Sequence, residues 1–222
     1  MEKPAAIEPW GWWVMNAWCA LQRDFLLLAM RVIAGVYPLR KAPFSTAQKI
    51  YFSNHTSNLD TLAILAALPR EARAGVRPVA ARDYWGHGGI RRYIAQQLLH
   101  VVLIDRHHET GDDPLMTVRA ALAQGDSIIF FPEGTRGADM LPQAFKSGLF
   151  FLASEFPQVE LVPVYLENLQ RIMPKGTIWP VPLICKVHFG TATTRGAQED
   201  RMTFLARMRD AVIALAPHRA AG

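Results

Sequence analysis

Six short runs rich in β-branched and aromatic residues, most of them set apart by stretches of helical length, restrict the fold of this chain more than any other feature. They are Lys49-Ile50-Tyr51-Phe52, Pro78-Val79-Ala80-Ala81, Val101-Val102-Leu103-Ile104, Ser127-Ile128-Ile129-Phe130-Phe131, Leu161-Val162-Pro163-Val164-Tyr165 and Lys186-Val187-His188-Phe189. Helical patterning occupies about 58–68, 87–98, 113–124, 146–155 and 198–215. Strands alternating with helices of this length pack as a sheet with helices on both faces. The expected fold is therefore α/β: a single domain with a mixed, largely parallel sheet, preceded by an N-terminal amphipathic helix. The sequence divides into residues 1–44, a membrane-associating helix and connector, and a domain over 45–216. Residues 171–183, with three prolines and a glycine, read as a loop.

The N-terminal helix carries the next constraint. Trp10, Trp12, Trp13 and Trp18 crowd its start and Phe25-Leu26-Leu27-Leu28 follows. A bilayer span needs about 20 largely uncharged residues, and Arg23 and Asp24 interrupt this run. Asn16, Arg23, Asp24 and Arg31 fall near one stripe at helical spacing, with Ala20 between them. The rest of the circumference is apolar, as in a helix that lies in the membrane interface with its indoles at headgroup level. The alternative is a helix packed on the protein's own core or on a second subunit. Pro38 and Pro43 end the helix and open the connector.

Half of the residues are apolar and 19% are charged, more apolar and less charged than an ordinary soluble domain; the balance fits either a well-packed cytosolic α/β enzyme or a protein that touches lipid. Lys and Arg exceed Asp and Glu by 24 to 19, a net charge of +5. That excess favours an anionic surface or a phosphate-bearing substrate. No nucleic-acid signature accompanies it, so nucleic acid is not an expected partner. The two cysteines, Cys19 and Cys185, are too few and too far apart for a disulfide framework or a zinc site. They read as small core residues in a reducing compartment, and no secretory signal is evident.

Three segments carry chemistry. In Asn54-His55-Thr56-Ser57-Asn58-Leu59-Asp60 the histidine follows a strand and the aspartate falls in the first turn of the next helix. That spacing can bring the carboxylate to the imidazole, fix its tautomer and leave the other ring nitrogen as a general base. On spacing alone, Asp60 is equally an ordinary helix cap. The second segment is Phe130-Phe131-Pro132-Glu133-Gly134-Thr135-Arg136-Gly137, an apolar strand that runs into a turn. There, backbone N–H groups can form an anion nest and Arg136 can grip phosphate; the plain alternative is a turn with a surface arginine. Arg106, at the end of Leu103-Ile104-Asp105-Arg106, and Lys146, in Phe145-Lys146-Ser147-Gly148, are further anion contacts. His107-His108-Glu109 is not expected to hold metal, because adjacent side chains on a strand point to opposite faces.

The order and type of these segments resemble the glycerophospholipid acyltransferase family, the group that includes 1-acylglycerol-3-phosphate acyltransferases. Its Asn-His-x-Ser-x-x-Asp pattern is matched from Asn54 to Asp60, and its Phe-Pro-Glu-Gly-Thr-Arg pattern from Phe131 to Arg136. Its strand ending in Arg is matched at Arg106, and its apolar strand with a proline at Leu161-Val162-Pro163-Val164. The likeness covers roughly residues 45 to 190. Two departures stand on the acceptor side: His100-Val101-Val102-Leu103 where the family opens with Gly and holds Phe, and Gly137 where Ser is common.

The resemblance implies transfer of a fatty acyl group from acyl-CoA or acyl carrier protein onto the hydroxyl of a lysophospholipid. The expected acceptor is 1-acylglycerol-3-phosphate, giving phosphatidic acid. His55 is the implied general base, oriented by Asp60. Asn54, Ser57, Arg106, Glu133, Gly134, Thr135, Arg136 and Lys146 are the implied substrate-binding residues, with Glu133 better suited to orienting Arg136 or a sugar-like hydroxyl than to touching phosphate. No cofactor and no metal are expected beyond the acyl donor itself. The expected partners are membrane lipids, at the cytoplasmic face of the cell membrane, with the protein peripheral or monotopic. The basic residues Arg70, Arg73, Arg77, Arg82, Arg91 and Arg92 could receive CoA phosphates or an acidic carrier. Competing readings are an acyl-thioester hydrolase, a lipid-binding module without turnover, and an acyltransferase for another lysolipid such as an aminolipid. A serine hydrolase is disfavoured, since no Gly-x-Ser-x-Gly elbow occurs.

Overall fold

The computed structural model describes residues 9–85, 88–105, 113–137, 141–169 and 184–217. Arg106, the His107-His108-Glu109 run and the whole of the 171–183 loop lie outside the described residues. The elements are α1 (Pro9–Ile33), β1 (Tyr37–Arg40), β2 (Lys49–Ser53), α2 (Asp60–Ala67), α3 (Arg70–Arg73), β3 (Val76–Ala81), α4 (Arg82–Trp85) and α5 (Gly89–Tyr93). A single π turn, Ile94–Leu98, extends α5. After it come β4 (Val102–Ile104), α6 (Met116–Ala123), β5 (Ser127–Phe130), α7 (Gly148–Glu155), β6 (Glu160–Glu167), β7 (Lys186–Phe189) and α8 (Arg201–Ile213).

The strands form one seven-stranded sheet in the order β1-β7-β6-β2-β5-β3-β4. Every neighbouring pair is parallel except β6 and β7. The six expected strands are all present. β1 is an addition: Tyr37-Pro38-Leu39-Arg40, read from sequence as connector, pairs with β7. Pro38 is tolerated there because an edge strand does not need every N–H.

Alternation along β2 shows how the core is divided. Tyr51 faces one side with Ile129, Val162, Val164 and Val187, against Leu27 and Met30 of α1 and Ala63 and Ile64 of α2. Ile50 and Phe52 face the other side with Ile128, Phe130 and Tyr165, against α6, α7 and α8. Buried on both faces, β2 has an unbroken apolar centre, Ile50-Tyr51-Phe52, as parallel strands do. The chain leaves β2 for α2 on the first face, whereas after β5 it goes to α7 on the second. Adjacent strands whose connections diverge in this way open a crevice at their carboxyl ends. His55 follows β2 and Glu133 follows β5 at that crevice.

The polar stripe of α1 has a specific destination. Asp24 pairs with Arg70 at 3.2 Å and with buried Arg73 at 3.4 Å, both on α3. The side of α1 turned to solvent is instead apolar: Trp13, Trp18, Leu21, Phe25, Leu28 and Val32 are all exposed. α1 is thus packed on the core along one face and uncovered along another. Among the described residues, no helix is long and apolar enough to cross a membrane.

Candidate functional site

Asp60 is the first residue of α2, and its side chain turns back into the loop that precedes the helix. Its Oδ2 accepts hydrogen bonds from the N–H of Thr56 at 2.7 Å and of Ser57 at 2.9 Å. The same oxygen lies 2.8 Å from His55 Nδ1. An oxygen that faces two backbone donors is an acceptor for the ring too, which places the imidazole proton on Nδ1 and leaves Nε2 with a lone pair. Among the described residues nothing hydrogen-bonds Nε2. The Asp60 side chain is 0% exposed and that of His55 23%, so the orienting group is sealed while the reactive ring reaches the surface. The helix N-terminus adds a favourable dipole for the Asp60 charge.

The register of β2 on β5 brings the second segment to this histidine. Phe52 stands beside Phe130 in a parallel pair, so the residues three positions on, His55 and Glu133, meet above the strand ends. The His55 N–H donates to Glu133 Oε1 at 2.8 Å, and the N–H of Gln143 donates to Glu133 Oε2 at 2.9 Å. Glu133 is 5% exposed. Burial pushes its carboxyl above the usual glutamate range, against the pull of its two backbone donors and of the His55 ring. Phe131 stacks on that ring with centroids 4.3 Å apart and planes at 23°.

Gly134 sits at φ +72°, and a Cβ there would meet the Lys146 ammonium at 2.9 Å. The lysine chain therefore lies across the glycine. Thr135, Arg136 and Lys146 are exposed beside the crevice. The Gly137 N–H donates to the His55 carbonyl at 2.9 Å, which holds this loop against the histidine. The sheet thus unites His55, Asp60, Glu133, Gly134, Thr135, Arg136 and Lys146 at one crevice.

Two expected contacts have other work. Asn54 is buried: Leu166 N–H donates to its Oδ1 at 2.9 Å, and its Nδ2 donates to Leu166 O at 3.3 Å. It ties the end of β2 to β6. The Ser57 hydroxyl accepts from the Leu59 N–H at 3.2 Å, a local turn bond. Arg70 and Arg73 pair with Asp24, and Arg77 pairs with Asp126 at 2.7 Å. Arg82, Arg91 and Arg92 are exposed on α4 and α5, and Arg92 Nε donates to Gln96 Oε1 at 3.2 Å. Cys185 is fully buried, its thiol pushed up to about 12 by burial and by the nearby Asp60 and Glu167 charges, which makes it inert. The part-exposed Cys19 instead touches Tyr93 OH at 3.9 Å. Sequence reasoning missed the roles of Phe131, Asn54 and the Gln143 N–H. Only Phe131 left a signal, since strand alternation sends it away from Phe130.

Comparison with known proteins identifies a family and a fold. A family model described as Acyltransferase matches residues 38–167. The chain is 29% identical over 143 residues to the chloroplastic 1-acyl-sn-glycerol-3-phosphate acyltransferase LPAT1 of Arabidopsis thaliana, covering 63% of this chain and 37% of that protein. It is 34% identical over 137 residues to the 1-acyl-sn-glycerol-3-phosphate acyltransferase alpha of Mus musculus, covering 59% of this chain and 44% of that protein. The chain thus spans less than half the length of these curated relatives. In fold it resembles the crystal structure of the 1-acyl-sn-glycerophosphate acyltransferase PlsC from Thermotoga maritima. The TM-score is 0.68 at 16% identity, covering 90% of this chain and 79% of that one.

Proposed function

The chain belongs to the Acyltransferase family, and from that premise we propose that it esterifies a lysophospholipid, 1-acylglycerol-3-phosphate, with an acyl group drawn from acyl-CoA or acyl carrier protein. His55 Nε2 takes the proton of the acceptor hydroxyl as that oxygen attacks the thioester carbonyl. The C–S bond then breaks, the imidazolium returns the proton to the leaving thiolate, and phosphatidic acid and free thiol depart. The single observation that carries this reading is the 2.8 Å contact of His55 Nδ1 with Asp60 Oδ2, which leaves Nε2 as a directed base. General-base help of this kind contributes typically 10²–10⁴-fold.

Arg136 and Lys146, with the Gly134 turn between them, support capture of the acceptor phosphate; Arg106 is assigned to the same role from its motif. Arg82, Arg91 and Arg92 follow the carboxyl end of β3, at the same edge of the sheet, and suit the phosphates of the donor. The uncovered apolar side of α1 supports residence at the cytoplasmic face of the membrane, peripheral or monotopic. The test offers lysophosphatidic acid and other lysolipids with both donor types and identifies products by mass. His55→Ala is expected to abolish transfer with the fold intact, and activity within tenfold of the parent would sink the general-base role. Arg136→Ala is expected to weaken acceptor use; an unchanged acceptor KM and rate would remove it from the phosphate site. Free fatty acid as the sole product would make the protein a thioesterase.

A further inference from the structure

Glu133 lies next to Gly134 in the loop assigned to the acceptor, yet its carboxylate turns inward. Both of its oxygens are taken by main-chain donors from different segments, the His55 N–H at 2.8 Å and the Gln143 N–H at 2.9 Å. The Gln143 segment is itself anchored. Lys146 N–H donates to Pro132 O at 2.8 Å, and Arg209 Nε of α8 donates to Pro142 O at 2.9 Å. The His55 main chain is therefore held at both of its polar groups, the N–H by Glu133 and the C=O by Gly137. Its ring is held by Asp60 and flanked by Phe131.

We infer that Glu133 is a positioning residue: it fixes the His55 backbone, and through it the aim of the ring, instead of contacting the acceptor. The inference rests on the proposed role of His55 as base. A backbone N–H bound to a carboxylate makes a stronger and more directional bond than one bound to a neutral acceptor. A general base must hold its geometry within about 0.5 Å, and a bond to the N–H of the reactive residue itself is the shortest route to that control.

The test uses the full chain, ¹⁵N-labelled in detergent micelles, as parent, Glu133→Gln and Glu133→Ala. Amide exchange at His55 and the ¹⁵N signals of its ring are read alongside kinetics with lysophosphatidic acid. In Glu133→Ala the His55 amide is expected to exchange at least tenfold faster, with the Nδ1–H ring tautomer less populated. Glu133→Gln keeps one acceptor oxygen in a similar volume, shifts both signals the same way by less, and carries the test if the alanine variant does not fold. In turnover, kcat falls at least tenfold for alanine and is partly restored in glutamine, with the acceptor KM within twofold of the parent. Unchanged exchange and ring signals in both variants would overturn the inference. So would an acceptor KM raised tenfold at constant kcat, which marks a ligand contact. If the parent transfers nothing to any lysolipid, the acyltransferase reading fails, while the exchange and ring signals still decide whether Glu133 sets His55.

Discussion

Asp60 and Glu133 both bind His55, but at different atoms and at different energetic cost. Asp60 gathers two N–H groups and the ring on one oxygen at a helix start, where an anion is welcome. Glu133 is held in a position where burial outweighs its two hydrogen bonds and raises its pKa. The sign follows from linkage. A carboxyl whose folded pKa exceeds its unfolded value destabilises the fold when ionised, and that penalty is relieved as pH falls from the raised value toward the ordinary 4.5. Glu133→Gln has no such penalty. Its stability relative to the parent is expected to be most favourable at pH 8 and less so at pH 4.5, as measured by urea unfolding at both. A difference independent of pH would show that Glu133 carries no ionisation cost. Gly134 is constrained for a different reason. Its φ of +72° and the Lys146 chain across it predict that Gly134→Ala loses about 1–2 kcal/mol of stability and displaces the Lys146 ammonium. Denaturant midpoint and acceptor KM should therefore both worsen; a change in neither would mean that the loop tolerates a Cβ.

At the scale of elements, α1 is the decisive case because its two sides have different jobs. Leu27 is buried against α2 and the sheet, whereas Phe25 and Leu28 beside it are exposed. Leu27→Ala is expected to cost about 2–5 kcal/mol, the usual range for a truncated core leucine. Unchanged stability in that variant would mean that α1 is an appendage rather than part of the core. Asn54 gives a second element-scale expectation. Truncation to alanine strands the Leu166 N–H and C=O in the interior, at a cost of about 1–3 kcal/mol for each group left unpaired, and a melting temperature close to the parent's would refute its role as the tie between β2 and β6. These features also show what the sequence could disclose. The contact between His55 and Asp60 was legible because it is local: a strand end, a loop and a helix start fix it within five positions. The tie from Asn54 to Leu166 spans 112 positions, and nothing in either segment names the other. Glu133 counts among the substrate-binding residues only because the Phe-Pro-Glu-Gly-Thr-Arg resemblance implies it. Its inward turn depends on the parallel register of β2 and β5, and strands buried on both faces read as continuous apolar runs that do not reveal it. β1 was hidden by its proline and its four-residue length, too short for a period to show.

At the scale of the molecule, the question is what meets the uncovered side of α1. Its polar residues do not explain that side, since Asp24 is already paired with α3. Next to α1, α5 continues the surface: Tyr93 OH donates to Gln22 at 2.6 Å, Ile90 is exposed, and Arg91 and Arg92 lie beside it. Aromatic and aliphatic side chains bordered by arginines suit an anionic interface, where apolar groups enter the headgroup boundary and the guanidiniums meet phosphate. A lysophospholipid acceptor with a single chain is itself a membrane component, so a protein that rests on the bilayer meets it without extracting it into water. Trp18 and Phe25 are expected to contribute roughly 1.5 kcal/mol each to this contact. Replacing both with serine should lower partitioning onto phosphatidylglycerol vesicles by about a hundredfold while leaving the urea midpoint unchanged. Turnover of lysophosphatidic acid presented in vesicles should fall with the partitioning, and turnover of a short-chain soluble analogue should not. Full vesicle binding by the double variant would assign the α1 surface to a protein partner. Equal losses on both substrates would mean that α1 acts on the crevice itself and not on the approach of lipid to it.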